Sequence, residues 1–126
     1  MDEKTFKART KKLTVAIIKQ MDKLPKSRAA DVVANQIIRS GTSIGANYRA
    51  ACRAKSTADM INKMKIVEEE SDETMYWLEI LADADLAPKE QIRELYKETN
   101  EILAMTIASV KTLRNRSQSK IVNPKS

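Results

Sequence analysis

This sequence predicts an all-α fold, an antiparallel up-down-up-down four-helix bundle, on three observations. Glycine and proline are scarce, at 2 and 3 in 126 residues, so little in the chain interrupts long helices. Apolar residues recur at three- and four-residue steps through four successive stretches, and the alternation expected of strands is absent. Short connections carrying Pro25 and Pro88 join the stretches. Helices of about 20–28 residues joined that way pack as antiparallel neighbours.

Each element has its own signals. The first helix is expected from about Thr5 to Lys23, with Phe6, Leu13, Ile17 and Leu24 as its apolar stripe and Val15 and Ile18 beside it. Pro25 closes it. Ser27 suits the N-cap of the second helix, because its hydroxyl can accept an orphan backbone N–H. That helix is expected to end near Arg53, with Val33, Ile37, Ser40, Ile44, Tyr48 and Ala51 on one face. Ser56-Thr-Ala-Asp59 has the form of a capping box with aspartate in place of glutamate. The third helix follows to about Ala84, its seam running through Met60, Met64, Val67, Ser71, Thr74, Leu78 and Leu81. Pro88 suits the first turn of a fourth helix ending near Asn115, with a seam of Ile92, Leu95, Thr99, Ile102, Thr106, Ser109 and Leu113. Residues 1–115 then form one bundle domain and residues 116–126 a polar, disordered basic tail. Ile61, Ile66, Met75, Trp77 and Ile80 lie off the third seam and need cover, which argues for a homo-oligomer.

Charge narrows the function classes. The net charge of +6 is unevenly distributed: residues 1–55 hold 13 Lys/Arg against 4 Asp/Glu, residues 56–101 hold 5 against 13, and residues 102–126 hold 5 against none. Such blocks suit binding to RNA or DNA, or contact between unlike faces of two subunits. Lys11 and Lys12 on the first helix, Arg28, Arg39, Arg49, Arg53 and Lys55 on or after the second, and Arg114 and Arg116 near the C-terminus are the candidate phosphate contacts. Lys4, Lys7, Arg9 and Lys19 enrich the first helix further, and Lys111, Lys120 and Lys125 do so for the C-terminus. Aromatic content is 4%, which leaves little for base-stacking platforms. Solvated helix faces are the plain alternative for all these cations.

Enzyme chemistry has little to stand on. The chain has no histidine and one cysteine, Cys52, which reads as a small buried hydrophobe rather than a nucleophile. No nucleophile elbow, Walker loop or dinucleotide fingerprint is present, and neither a cofactor nor a metal is expected. The N-terminal residues lack an apolar signal region and no stretch is long enough for a membrane span, so a cytoplasmic protein without membrane contact is expected.

The stretch from Arg39 to Arg49 (RSGTSIGANYR) puts two glycines four apart inside a helix. Glycine there costs about 1 kcal/mol relative to alanine, so close packing or a polar contact is required. The acidic run Glu68 to Glu73 surrounds its own helix, so at least one carboxylate turns inward. Ser40, Asn47, Glu69 and Glu73 are the candidate structural polar network, with Arg39 or Arg49 as the pairing cation and the glycine stretch facing the acidic run.

Leu24-Pro25, the segment Gln36 to Arg49 (QIIRSGTSIGANYR), Glu68 to Glu73 and Tyr76 to Glu79 (YWLE) together resemble one family, the proteins encoded in 23S rRNA intervening sequences. A relative of that family is the accessory variability determinant of diversity-generating retroelements. The resemblance covers roughly Phe6 to Leu113. It implies a left-handed four-helix bundle assembling as a homopentameric, barrel-like ring. It also implies a non-enzymatic accessory role: the retroelement relatives associate with a reverse transcriptase and nucleic acid in diversity-generating retrohoming. Intervening-sequence members imply the alternative, a structural or protein-interaction ring without direct nucleic-acid contact.

Overall fold

Four helices account for most of the chain: α1 (Glu3–Asp22), α2 (Arg28–Cys52), α3 (Thr57–Asp83) and α4 (Lys89–Val122). The computed structural model describes residues 2–122, with side chains through Gln118, and no strand occurs among them. Side-chain oxygens fix the first three helix starts. The Asp2 carboxylate accepts from the Thr5 N–H at 3.1 Å, Ser27 Oγ from the Ala30 N–H at 3.0 Å, and Ser56 Oγ from the Asp59 N–H at 3.1 Å. The box at Ser56 closes one residue early, because the Asp59 carboxylate accepts from the Lys55 N–H at 3.4 Å. α3 is followed by Asp85, a left-handed residue with φ of 56°. The Leu86 and Asp85 N–H groups donate back to the Leu81 and Ala82 carbonyls there, closing the helix end where glycine is more usual.

The helices pack α1 on α2, α2 on α3, α3 on α4 and, most sparsely, α1 on α4, an arrangement consistent with a four-helix bundle. The expected seam of α2 is buried throughout, and that of α3 from Met64 to Leu81. On α4 the buried seam is Ile92, Leu95, Thr99, Ile102 and Thr106, with Val110 taking the next position rather than Ser109. Thr10 and Met21 complete the stripe of α1, whereas Val15 and Ile18 are 43% and 44% exposed. Leucine, isoleucine and methionine dominate this core, but six hydroxyl residues are also fully buried in it: Thr10, Ser40, Ser71, Thr74, Thr99 and Thr106. Thr99 and Thr106 donate to carbonyls one turn back at 2.7 Å, which satisfies them without a partner helix. Thr74 donates across to Ser40 Oγ at 2.8 Å and links α3 to α2. Ser71 Oγ is the one buried side-chain oxygen left without a hydrogen-bond partner among the described residues.

Two expectations change here. The fourth helix does not stop near Asn115 but continues about two turns to Val122, so most of the expected tail is helical; residues 123–126, including Lys125, lie outside the described residues. Nothing between Arg114 and Val122 breaks a helix, and Pro124 is the first residue that would. The two glycines also face a different neighbour from the one expected. A Cβ on Gly41 would lie 2.7 Å from Ile17 Cδ1, and one on Gly45 would lie 3.5 Å from Thr10 Oγ1, so both pack against α1. Arg39 and Ser40, at one flank of the stretch, are the residues of it whose side chains hydrogen-bond to α3 among the described residues.

Candidate nucleic-acid interface

Close approach of α1 and α2 at the glycines leaves a groove along their outer junction, about 430 Å³ in volume. Lys7 and Lys11 project from α1, and Arg49 and Arg53 from α2. Each pair is spaced four residues apart and therefore occupies one helix face. Thr14, Thr42 and Gly45 form part of the floor. A neighbouring hollow shares Arg49 and Arg53 and adds Lys55 and Lys63 from the start of α3, together with Asp59. Lys7 lies 3.6 Å from Glu3, an exposed pair of little energetic weight. Lys11, Arg49, Arg53, Lys55 and Lys63 have no carboxylate within ion-pair distance among the described residues.

The groove therefore brings together Lys11, Arg49 and Arg53 of the expected phosphate contacts, with Lys55 beside them. The others are dispersed. Lys12 and Arg28 are exposed and do not line it, and Arg28 opens α2 at the end opposite Arg53. Arg114 is exposed on α4, while Arg116 borders a separate cavity of about 480 Å³ whose lining includes Glu3, Tyr48, Met60, Met64 and Met105. Arg39 has its charge matched: its guanidinium donates to Glu70 at 3.3 Å and also to Glu73. Lys7 was named only among the cations that enrich the first helix, and Thr14, Thr42 and Lys63 were not singled out from the sequence. The signal that raises Lys7 is the pairing of its i, i+4 cation step with Lys11 and the same step, Arg49 and Arg53, on the neighbouring helix.

The polar network is likewise narrower and differently centred. Ser40 and Glu73 belong to it, with Arg39, Glu70, Thr74 and Trp77, whose indole N–H donates to Glu73 at 3.3 Å. Asn47 donates instead to the Ser43 carbonyl of its own helix at 2.9 Å. Glu69 is exposed and makes no ion pair among the described residues. Arg39, not Arg49, reaches the acidic run. A second charged cluster joins α1 to α4: Arg9 donates to both oxygens of Glu98 at 2.8 and 2.7 Å and to Glu101 at 2.9 Å. Those hydrogen bonds, Glu98 first, hold the Arg9 guanidinium above its ordinary range.

Burial raises the Cys52 thiol above its ordinary value, and burial, followed by its hydrogen bond with Cys52, raises the Tyr48 phenol. A thiol raised in this way is a poor nucleophile at neutral pH. Among the described residues no group of His, Cys, Asp and Glu is placed to hold a metal ion, and no helix is long and apolar enough to cross a membrane.

Comparisons with known proteins agree with this architecture. The sequence profile of the 23S rRNA-intervening sequence protein family matches residues 4–108. No curated protein matches the chain. A crystal structure of a protein of unknown function from the S23 ribosomal protein family of Bacteroides thetaiotaomicron is 37% identical, with a TM-score of 0.82, covering 88% of this chain and 99% of that one. With the profile spanning most of α1 to α4, the chain belongs to the 23S rRNA-intervening sequence protein family.

Proposed function

We propose that this chain is a non-enzymatic nucleic-acid-binding protein that holds phosphates in the α1/α2 groove. One observation carries the reading: Lys7, Lys11, Arg49 and Arg53 converge on a single groove, and three of them lack a carboxylate partner. Cations so placed release counterions on binding a polyanion and give steep salt dependence with little sequence preference. A filter-binding titration over a salt series tests it. The wild type is expected to bind RNA or DNA with micromolar affinity at low salt. The triple variant Lys11→Ala, Arg49→Ala, Arg53→Ala is expected to lose about 2–3 units of the log–log salt slope. No binding to any polyanion at low salt, or an unchanged slope in the variant, refutes the reading. Association with a reverse transcriptase in a diversity-generating retroelement extends the same proposal. A neighbouring reverse-transcriptase gene flanked by template and variable repeats would support that extension.

A second reading has its own observation. Val15 and Ile18 on α1, Val32 on α2, Tyr76 on α3 and Ile107 on α4 are all more than two-fifths exposed. We propose that a homo-oligomeric ring, pentameric as in the resemblance, covers part of this surface. Its subunit is an up-down-up-down bundle, an order supported by the pairing of Gly41 with Ile17 and of Gly45 with Thr10. Light scattering at five times the chain mass of 14.2 kDa supports the ring, and a monomer refutes it.

A further inference from the structure

We infer that the α1/α2 groove selects RNA over DNA, because its rim offers only cationic donors and its floor only acceptors. This rests on the nucleic-acid reading above and goes beyond it by naming the polymer and the group that is recognised.

The floor hydroxyls have already used their protons. Thr14 Oγ1 donates to the Thr10 carbonyl at 3.1 Å, with a longer contact to the Gly41 carbonyl at 3.5 Å. Thr42 Oγ1 donates to the Arg39 carbonyl at 3.2 Å. A hydroxyl has one proton and two lone pairs, so both oxygens face a ligand as acceptors. Lysine and arginine have no acceptor at all. The groove thus fits a chain that is anionic at its edge and carries a hydrogen-bond donor one sugar inward. A ribonucleotide strand has that pattern, with phosphates for Lys11, Arg49 and Arg53 and a 2′-hydroxyl for Thr14 or Thr42. The deoxyribose backbone has no donor to offer there.

Gly45 points the same way independently. A Cβ at this position would meet Thr10 at 3.5–3.6 Å, ordinary contact distances, so packing does not demand glycine. Apart from proline it is the least favoured residue in a helix interior. Its local effect is to keep the floor beside Arg49 low enough for a backbone to reach the threonine oxygens. A Cβ at Gly41, by contrast, would lie 2.7 Å from Ile17 Cδ1, so that buried side chain would have to shift.

Fluorescence anisotropy with three matched single-stranded oligonucleotides tests the inference: RNA, DNA, and 2′-fluoro RNA, which keeps the ribose pucker but has no proton to donate. Wild-type protein is expected to bind RNA roughly tenfold tighter than either of the others, the effect of one or two net hydrogen bonds. The double variant Thr14→Val, Thr42→Val is expected to lose that preference. Equal binding of all three by wild type overturns the inference and leaves the nucleic-acid reading standing; this is the outcome if the hydroxyls turn to donate to phosphate. An RNA preference that persists in the double variant also overturns it. Failure to bind any oligonucleotide overturns the broader reading instead. The 2′-fluoro comparison needs no substitution, so it decides the matter even if the double variant does not fold.

Discussion

Removing Arg9 should loosen the bundle where it is most weakly closed. The α1/α4 junction is the sparsest of the four helix contacts, and Arg9 makes three charge-assisted hydrogen bonds across it. A buried bidentate pair of this kind contributes up to ~3 kcal/mol per bond, but these side chains are 28%, 33% and 48% exposed, so solvent screens them. The Glu98 pair is then worth about 1 kcal/mol and Glu101 a few tenths. The Met105 sulfur accepts from Nη1 at 3.2 Å and adds to the contact. Arg9→Ala should therefore destabilise by about 1.5–2 kcal/mol, or about 4–8 °C in Tm for a chain of this size. Urea denaturation of wild type, Arg9→Ala, Glu98→Gln and the double variant yields the coupling energy. A value below about 0.3 kcal/mol would show the pair to be a surface contact only, and the reasoning from its geometry would fail. Hydrogen exchange adds a local readout, since the loss should speed exchange in α1 more than in α2 or α3.

Three further outcomes follow from the same structure. Gly45→Ala should stabilise by about 0.5–1 kcal/mol, the helix-propensity gain with no clash, whereas Gly41→Val should destabilise by more than about 2 kcal/mol because its branches meet Ile17; thermal melts of the two variants check the contrast. Ser71→Ala should raise stability by about 1 kcal/mol, since it deletes a buried oxygen without a partner, while Thr74→Val should cost about 1–2 kcal/mol through loss of the link to Ser40; urea midpoints decide both signs. Stability should fall as pH rises through 9 and 10, the ordinary values of the Cys52 thiol and Tyr48 phenol, because the unfolded chain releases these protons first while the fold holds them. Cys52→Ala should remove the earlier part of that alkaline decline in urea midpoint.

The helix starts at Ser27 and Ser56 were legible because a cap is a local event: one oxygen, one N–H, three residues apart. The buried faces of α2 and α3 were legible because burial follows helix phase alone. Thr10 escaped the stripe of α1 because its hydroxyl reads as polar. Yet it donates to the Lys7 carbonyl at 3.1 Å and is buried without an unmet partner. Which neighbour a face meets is not encoded in phase. Gly41 and Gly45 lie about 100° round the helix from Ser40 and Ile44, and only the packed fold assigns the former to α1 and the latter two to the core. The same limit explains Arg39 and Arg49. Both are exposed arginines on α2, but one faces carboxylates across to α3 and the other faces lysines across to α1.

That division gives the charge blocks a spatial meaning. Between Ile66 and Pro88 the chain has eight acidic residues and no lysine or arginine, and Glu69, Asp72, Glu79 and Asp83 are exposed along α3. Arg39 and Lys65 are the cations that pair with this run among the described residues, which leaves most of its charge uncompensated. The basic groove lies on α1 and α2, with the packed width of α2 between it and the outer side of α3. Neighbouring helix axes sit about 8–10 Å apart, comparable to the Debye length of about 8 Å at physiological salt. At that ionic strength a polyanion held at the groove would be largely screened from the acidic side, while at about 0.01 M a screening length of about 30 Å would expose it to both. The net charge of +6 averages over these blocks, so the position of Arg49 and Arg53 opposite Lys7 and Lys11 is the better guide to where a polyanion would meet this protein.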